Sequence, residues 1–542
     1  MNSAGALVTY NIGNSESSVA NNLQFFSSGI KFGRRWVLTH GSLISPLNAA
    51  KKILNNHENC VNSQGDKRYK ALPTVSVSYE SNENVTVRNP ADVRESLKNS
   101  PIDGREVSNV VVSKGKIRFL WKCELLANIV DNLFTNWTMG HKQGDMQDQD
   151  ETGKTFLPVF VLIDIGDPSS APSVRDALTH LLKLLAPVEP QRGEGLLLQG
   201  TPFGHEVFLN SLSRGLACNC LGEGPQLLLC DASTTLGCEG GPAYLEDKNS
   251  LNAGRLFGMT LNSLSWNSGE WVGLSLVGCL RPSLRHLLAP PPAPTALMQF
   301  SMPKELPVLA ITDIIDSTIV LVRCGESWGS GVVVGKGYII TCAHVVQNHG
   351  KYGLSIFCKG KTGKANLIFK TPNNVAYDFA VLHSDDFISS KALELASEPA
   401  VRGETVVAVG FPFFSEAHTD ALRATITKGS VTKSLPNMLQ TSCCVQSGSS
   451  GGAVLRLLGG RGEQGGHRTL SCQLLGIITS NTIDEKNNTK FPNVNMAIPT
   501  GVFQEALNKF MQNPTPSVFN ELEVKQPEVQ SLWKLQTYKS KL

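Results

Sequence analysis

The chain repeats itself at long range, and this limits the fold more than any single motif does. Gly410-Phe411-Pro412-Phe413 recurs as Gly200-Thr201-Pro202-Phe203, and Gly451-Gly452 recurs as Gly240-Gly241 at nearly the same displacement. Farther upstream, Ser330-Gly331 matches Ser28-Gly29 and Thr341 matches Thr39, both pairs 302 positions apart. Repetition over that span reads as one ancestral domain written twice, with each copy closing its own core. The change in displacement gives the first copy roughly ninety extra residues between Ser42 and Gly200, far more than an ordinary connection. Much of that insertion is polar, including residues 55–70 and 142–154, and reads as solvated loop. Ala289-Pro290-Pro291-Pro292-Ala293-Pro294 is a stiff spacer between the copies. The expected boundaries are therefore 1–288 for the first copy, 289–306 for the linker, 307–512 for the second copy and 513–542 for a tail.

Within each copy the apolar runs are short, β-branched and bounded by Gly, Asn or Pro. Ser317-Thr318-Ile319-Val320-Leu321-Val322, Gly331-Val332-Val333-Val334 and Thr405-Val406-Val407-Ala408-Val409 are examples. Runs of this length are too short for helices and predict an all-β protein of antiparallel barrels. One exception is Gly501 to Met511, where Val502, Phe503, Ala506, Leu507 and Phe510 fall at helical spacing and predict a closing helix.

Composition narrows the function classes. A net charge of +3 over 542 residues gives no field strong enough to imply nucleic acid or an anionic membrane as partner. No apolar run approaches the length of a bilayer span, and the first residues lack the basic and apolar blocks of a secretory signal. The 13 cysteines show no regular framework and read as thiols of a chain folded in the cytosol. Cys218-Asn219-Cys220 has no second ligand pair at zinc-site spacing, so neither a metal nor a cofactor is expected. The chain ends in Ser540-Lys541-Leu542, a tripeptide read by import receptors as a peroxisomal address, which predicts a soluble protein of the peroxisomal matrix.

The residues that carry chemistry lie in the second copy. Gly448-Ser449-Ser450-Gly451-Gly452 places a serine among glycines. Gly448 lets the chain turn so that its N–H and that of Ser450 can meet one oxyanion. His344 ends the apolar stretch Tyr338-Ile339-Ile340-Thr341-Cys342-Ala343, and Asp378 heads the run Phe379-Ala380-Val381-Leu382. A carboxylate that fixes an imidazole tautomer, with the imidazole deprotonating a serine, is the arrangement of nucleophilic hydrolysis. The chain order His344, Asp378, Ser450 separates it from the subtilisin and α/β-hydrolase architectures. The first copy has Glu239 where Ser450 stands and Ser42 where His344 stands, with His40 two residues early. The place of Asp378 falls near Pro158. This copy is expected to be inactive.

Thr341-Cys342-Ala343-His344, Asp378-Phe379-Ala380-Val381-Leu382, Gly410-Phe411-Pro412, Gly448 to Gly452, Gly476-Ile477-Ile478-Thr479 and Asn495-Met496-Ala497-Ile498-Pro499 together resemble the Deg/HtrA branch of trypsin-like serine proteases. The resemblance implies two tandem trypsin-like double β-barrels, the first degenerate, with short helices at the domain ends. The residues after Met511 are too few for the PDZ domain usual in that branch. With its two copies and its C-terminal address, the chain is most similar to the branch's peroxisomal processing members. That similarity implies removal of targeting leaders from imported enzymes such as thiolase, internal cuts in other β-oxidation enzymes, self-cleavage, and a preference for cysteine beside the scissile bond. Cys444, six residues before Ser450, then falls at the floor of the specificity pocket, or is ordinary core. Cys60, in the polar stretch His57-Glu58-Asn59-Cys60, is the self-cleavage candidate. The rival expectation is a catalytically silent scaffold or chaperone for matrix enzymes. For the first copy, substrate positioning and a homo-oligomer interface both remain open.

Overall fold

The computed structural model describes residues 4–12, 23–55, 72–80, 110–133, 155–167, 173–221, 226–246, 254–267, 270–289, 310–387, 391–412, 423–459, 470–484 and 489–533. Cys60, the linker 289–306 after its first residue, and Ser540-Lys541-Leu542 lie outside the described residues.

Four closed six-stranded barrels follow one another along the chain, and each has the same strand order, 1-2-3-6-5-4. The third barrel comprises Ile319–Cys324, Ser327–Gly335, Tyr338–Thr341, Leu354–Cys358, Lys361–Lys370 and Ala380–His383. The fourth comprises Thr405–Gly410, Thr425–Leu435, Met438–Thr441, Ala453–Gly459, Leu470–Asp484 and Thr489–Pro499. Alternate residues of these strands face inward, so Ile339, Val381, Val409 and Ile477 are sealed from solvent. Closure leaves the barrels no free edge to aggregate.

The repetition in the sequence is a repetition in space. Thr341 Oγ1 donates to Ser330 O at 2.7 Å, as Thr39 Oγ1 does to Ser28 O. The Ser330 N–H donates to Ser450 O at 2.7 Å, and its counterpart on Ser28 donates to Glu239 O at 2.8 Å. Strand register refines one equivalence. Thr341 pairs with Ala380 and Thr39 with Val161, so Val159, one residue past Pro158, stands in the place of Asp378.

Helices fill the barrel ends. Thr500–Gln512 buries Phe503, Ala506, Leu507 and Phe510, and Leu280–Leu288 occupies the same place in the first half. The polar reading of the insertion missed Glu124–Leu133, whose Leu126, Ile129 and Val130 are buried. It missed Val174–Leu184 as well, which packs through Ala177, Leu178 and Leu181.

Segment 513–542, expected to be a tail, is built into the second half as far as Trp533. Phe519 is 0% exposed and sits among Phe369, Phe379 and Phe510 at ring separations of 5.3, 6.1 and 5.0 Å. An apolar face lying past the closing helix cannot stay in water, and it folds back over the third barrel.

The halves touch directly. Arg192 pairs with Asp316 and donates to Ala424 O, and Asp231 accepts from Leu216 N–H at 2.6 Å and from Lys428 N–H at 2.8 Å. Asp231 therefore ties a strand of the second barrel to a strand of the fourth.

Candidate active site

His344 begins a single 3-10 turn directly after the strand Tyr338–Thr341, and Asp378 precedes the strand Ala380–His383. These two strands are neighbours, which brings residues 34 positions apart together. Asp378 Oδ1 accepts the His344 backbone N–H at 3.0 Å, and Asp378 Oδ2 accepts the His344 Nδ1–H. Nε2 is thereby left as the basic nitrogen. Burial alone would lower the His344 pKa, but the hydrogen bond and charge of Asp378 outweigh it and raise the imidazole above its usual value.

Ser450 comes from the fourth barrel, on the loop ahead of Ala453–Gly459. A cavity of about 390 Å³ is lined by His344, Asp378 and Ser450 together with Ala376, Gln446, Thr479 and Trp533. The Ser450 hydroxyl donates to Thr479 O at 3.1 Å, so it must rotate about Cα–Cβ before its proton reaches His344. Thr479 was quoted in the sequence as part of a motif without a role, and the fold makes it the resting acceptor. Gly448 has φ +94°, and a Cβ there would stand 2.4 Å from Trp328 Nε1. Glycine is required on both counts. Its carbonyl accepts from Ser330 Oγ–H at 2.8 Å, and the N–H of that same peptide, the one on Ser449, donates to Gln446 O at 2.9 Å. Among the described residues neither the Gly448 nor the Ser450 N–H is spent on a protein acceptor.

Cys342, His344 and Asp378 offer ligand atoms within 4.8 Å of one another. Burial holds the Cys342 thiol well above its ordinary pKa, its Sγ–H donates to Ile478 O, and His344 and Asp378 are engaged with each other. A metal would first have to break these bonds.

Residues 329–461 match the trypsin-like peptidase domain family. The peroxisomal leader peptide-processing protease of Homo sapiens is 32% identical over 64% of this chain and 60% of its own length. That of Mus musculus is 31% identical over 72% of this chain and 68% of its own length. The chain belongs to the family of the peroxisomal leader peptide-processing proteases. The match thus spans rather less than two thirds of the human relative's length and slightly more of the mouse relative's. The periplasmic serine endoprotease DegP of Salmonella typhimurium is 26% identical over 34% of this chain and 36% of its own length.

In this member of the family Cys444 does not line the cavity. Cys443 and Val445 pack in the fourth barrel's core, Val445 also bordering the cavity, whereas Cys444 between them reaches the first half. There it joins the cluster of Leu264 and Leu274 in the first half, with its Sγ–H toward Gly273 O at 3.8 Å. Burial pushes its thiol up to about 12. The described cysteines are all free thiols, and no helix among the described residues is long and apolar enough to cross a membrane.

In the first half the catalytic loop survives with different chemistry. Gly237 has φ +96°, close to that of Gly448, yet its N–H donates to Glu239 Oε2 at 2.7 Å. The Glu239 N–H donates to the same carboxylate. The side chain in the serine's place thus fills its own oxyanion site. Burial raises the Glu239 pKa, and the two N–H groups oppose that rise. His40 is sealed in the core, in the place of Cys342, with Nε2–H on Leu157 O at 2.9 Å. Burial lowers its pKa to about 4 against the opposing pull of Leu157. It is a neutral structural histidine.

Proposed function

We propose that the protein is a serine endopeptidase of the peroxisomal matrix in which Ser450 attacks, His344 carries the proton, Asp378 orients the ring, and the Gly448 and Ser450 N–H groups hold the oxyanion. The observation that supports this reading is that the hydrogen-bonded His344–Asp378 pair and Ser450 line one cavity. His344 Nε2 accepts the serine proton as Oγ bonds to the scissile carbonyl carbon, and it then returns that proton to the leaving amine. The names of the human and mouse relatives support leader peptides of imported enzymes as the substrate, and the C-terminal tripeptide supports an import receptor as partner. Thiolase-like and other β-oxidation enzymes are the proposed substrates, with self-cleavage at Cys60. The first half acts as a non-catalytic buttress, supported by Glu239 and His40 and by the contacts of Asp231 and Arg192. A silent scaffold is the competing reading.

Ser450→Ala separates the two. The endopeptidase reading expects a fluorophosphonate to label the wild-type protein and not the variant, and expects processing of a leader-bearing thiolase to stop while the melting temperature is kept. Undiminished processing by the purified variant would defeat it.

A further inference from the structure

Residues 513–533 do more than fill a gap in the core. The Ala376 N–H donates to Val524 O at 2.8 Å, and Gln530 Nε2 donates to Asn374 O at 2.9 Å. Both bonds grip the loop that ends in Asp378. Trp533 continues from the short helix Pro527–Ser531 and meets Tyr377 edge to face at 6.2 Å. Its indole is also a wall of the cavity that holds His344, Asp378 and Ser450. The Nε1–H is buried and meets no acceptor among the described residues. A buried unpaired donor is a cost that phenylalanine would avoid at a position needed only for packing.

We infer that Trp533 is a specificity-determining residue, whose indole with Ala376 forms an apolar subsite for a side chain flanking the scissile residue of an extended peptide. This rests on the endopeptidase reading above. The segment that carries this wall is hydrogen-bonded, through Val524 and Gln530, to the loop that ends in Asp378. An aromatic face beside a small residue leaves room for a branched aliphatic side chain. The trypsin-like domain match ends at residue 461, so Trp533 comes from outside the matched segment and Ala376 from within it.

The test uses the full chain as wild type, Trp533→Ala and Trp533→Phe. A small fluorophosphonate reports on the Ser450 machinery alone, and peptide pairs carrying leucine or glycine at each position flanking the scissile bond report on the subsite. In Trp533→Ala the leucine-to-glycine ratio of kcat/KM should fall roughly tenfold at one position, the usual range for an apolar pocket contact, a selective change that any fall in the labelling rate does not match. Trp533→Phe should shift the preference toward larger side chains at that same position. A labelling rate that falls in step with turnover of both peptides would overturn the inference, since Trp533 would then act through Asp378. Unchanged ratios would overturn it as well. If the alanine variant melts early, the phenylalanine variant decides, and an unshifted preference there refutes the subsite. A wild-type protein that takes no label would instead sink the endopeptidase reading itself.

Discussion

Phe519→Ala asks whether the segment after the closing helix is structural. The ring is 0% exposed and contacts Phe369, Phe379 and Phe510 at 5.0 to 6.1 Å. Truncating a fully buried phenylalanine removes its transfer energy and leaves a cavity that three large rings cannot collapse, a loss of about 3–5 kcal/mol. For a domain of this size each kcal/mol lowers the melting temperature by about 2–4 °C, so a fall of roughly 6–20 °C is expected by calorimetry. Phe379 directly follows Asp378, so the same variant should lose kcat/KM by an order of magnitude or more at temperatures where it is still folded. Phe519→Leu conserves most of the volume and should cost less than about 1.5 kcal/mol. A melting shift under 2 °C for the alanine variant would refute the assignment of these residues to the core.

Asp378→Asn should reduce kcat by about four orders of magnitude, because an amide no longer dictates which ring nitrogen carries the proton. On the endopeptidase reading the His344 imidazole must be neutral to act as base, and Asp378 raises its pKa above the ordinary value, so wild-type kcat/KM should rise with pH through a midpoint above that of a free histidine. Loss of the carboxylate charge should move that limb to lower pH, and an unmoved limb would disprove the coupling. Asp231→Ala strands the Leu216 and Lys428 N–H groups and should cost about 2–3 kcal/mol. A thermal scan that shows the two halves melting apart would localise the damage.

How much was legible in the sequence depended on the range of each interaction. Strands such as Thr405–Gly410 show in local β-branched patterning, and the order of His344, Asp378 and Ser450 shows because each sits in its own short motif. Trp533 left no such trace, since its place at the cavity comes from a chain reversal after Gln512 that no local pattern encodes. For Cys444, counting back from the serine gave an address but no direction. Its side chain packs against residues of the first half, a long-range contact that no local pattern announces. The insertion reads as solvent-facing at its polar stretches, while Asn48–Asn55, Glu124–Leu133 and Val174–Leu184 within it are amphipathic and fold as helices.

The carboxylate of Glu239 has one further implication. A loop shaped to greet a fleeting negative charge has, in the first half, been given a permanent one on a tether. What served turnover in one copy serves as a fastener in the other, since the same pair of N–H groups now closes the loop on itself. Exchanging this glutamate for serine would reopen the cradle without reviving hydrolysis, because the nearby imidazole is committed to Leu157 and the carboxylate position is Val159.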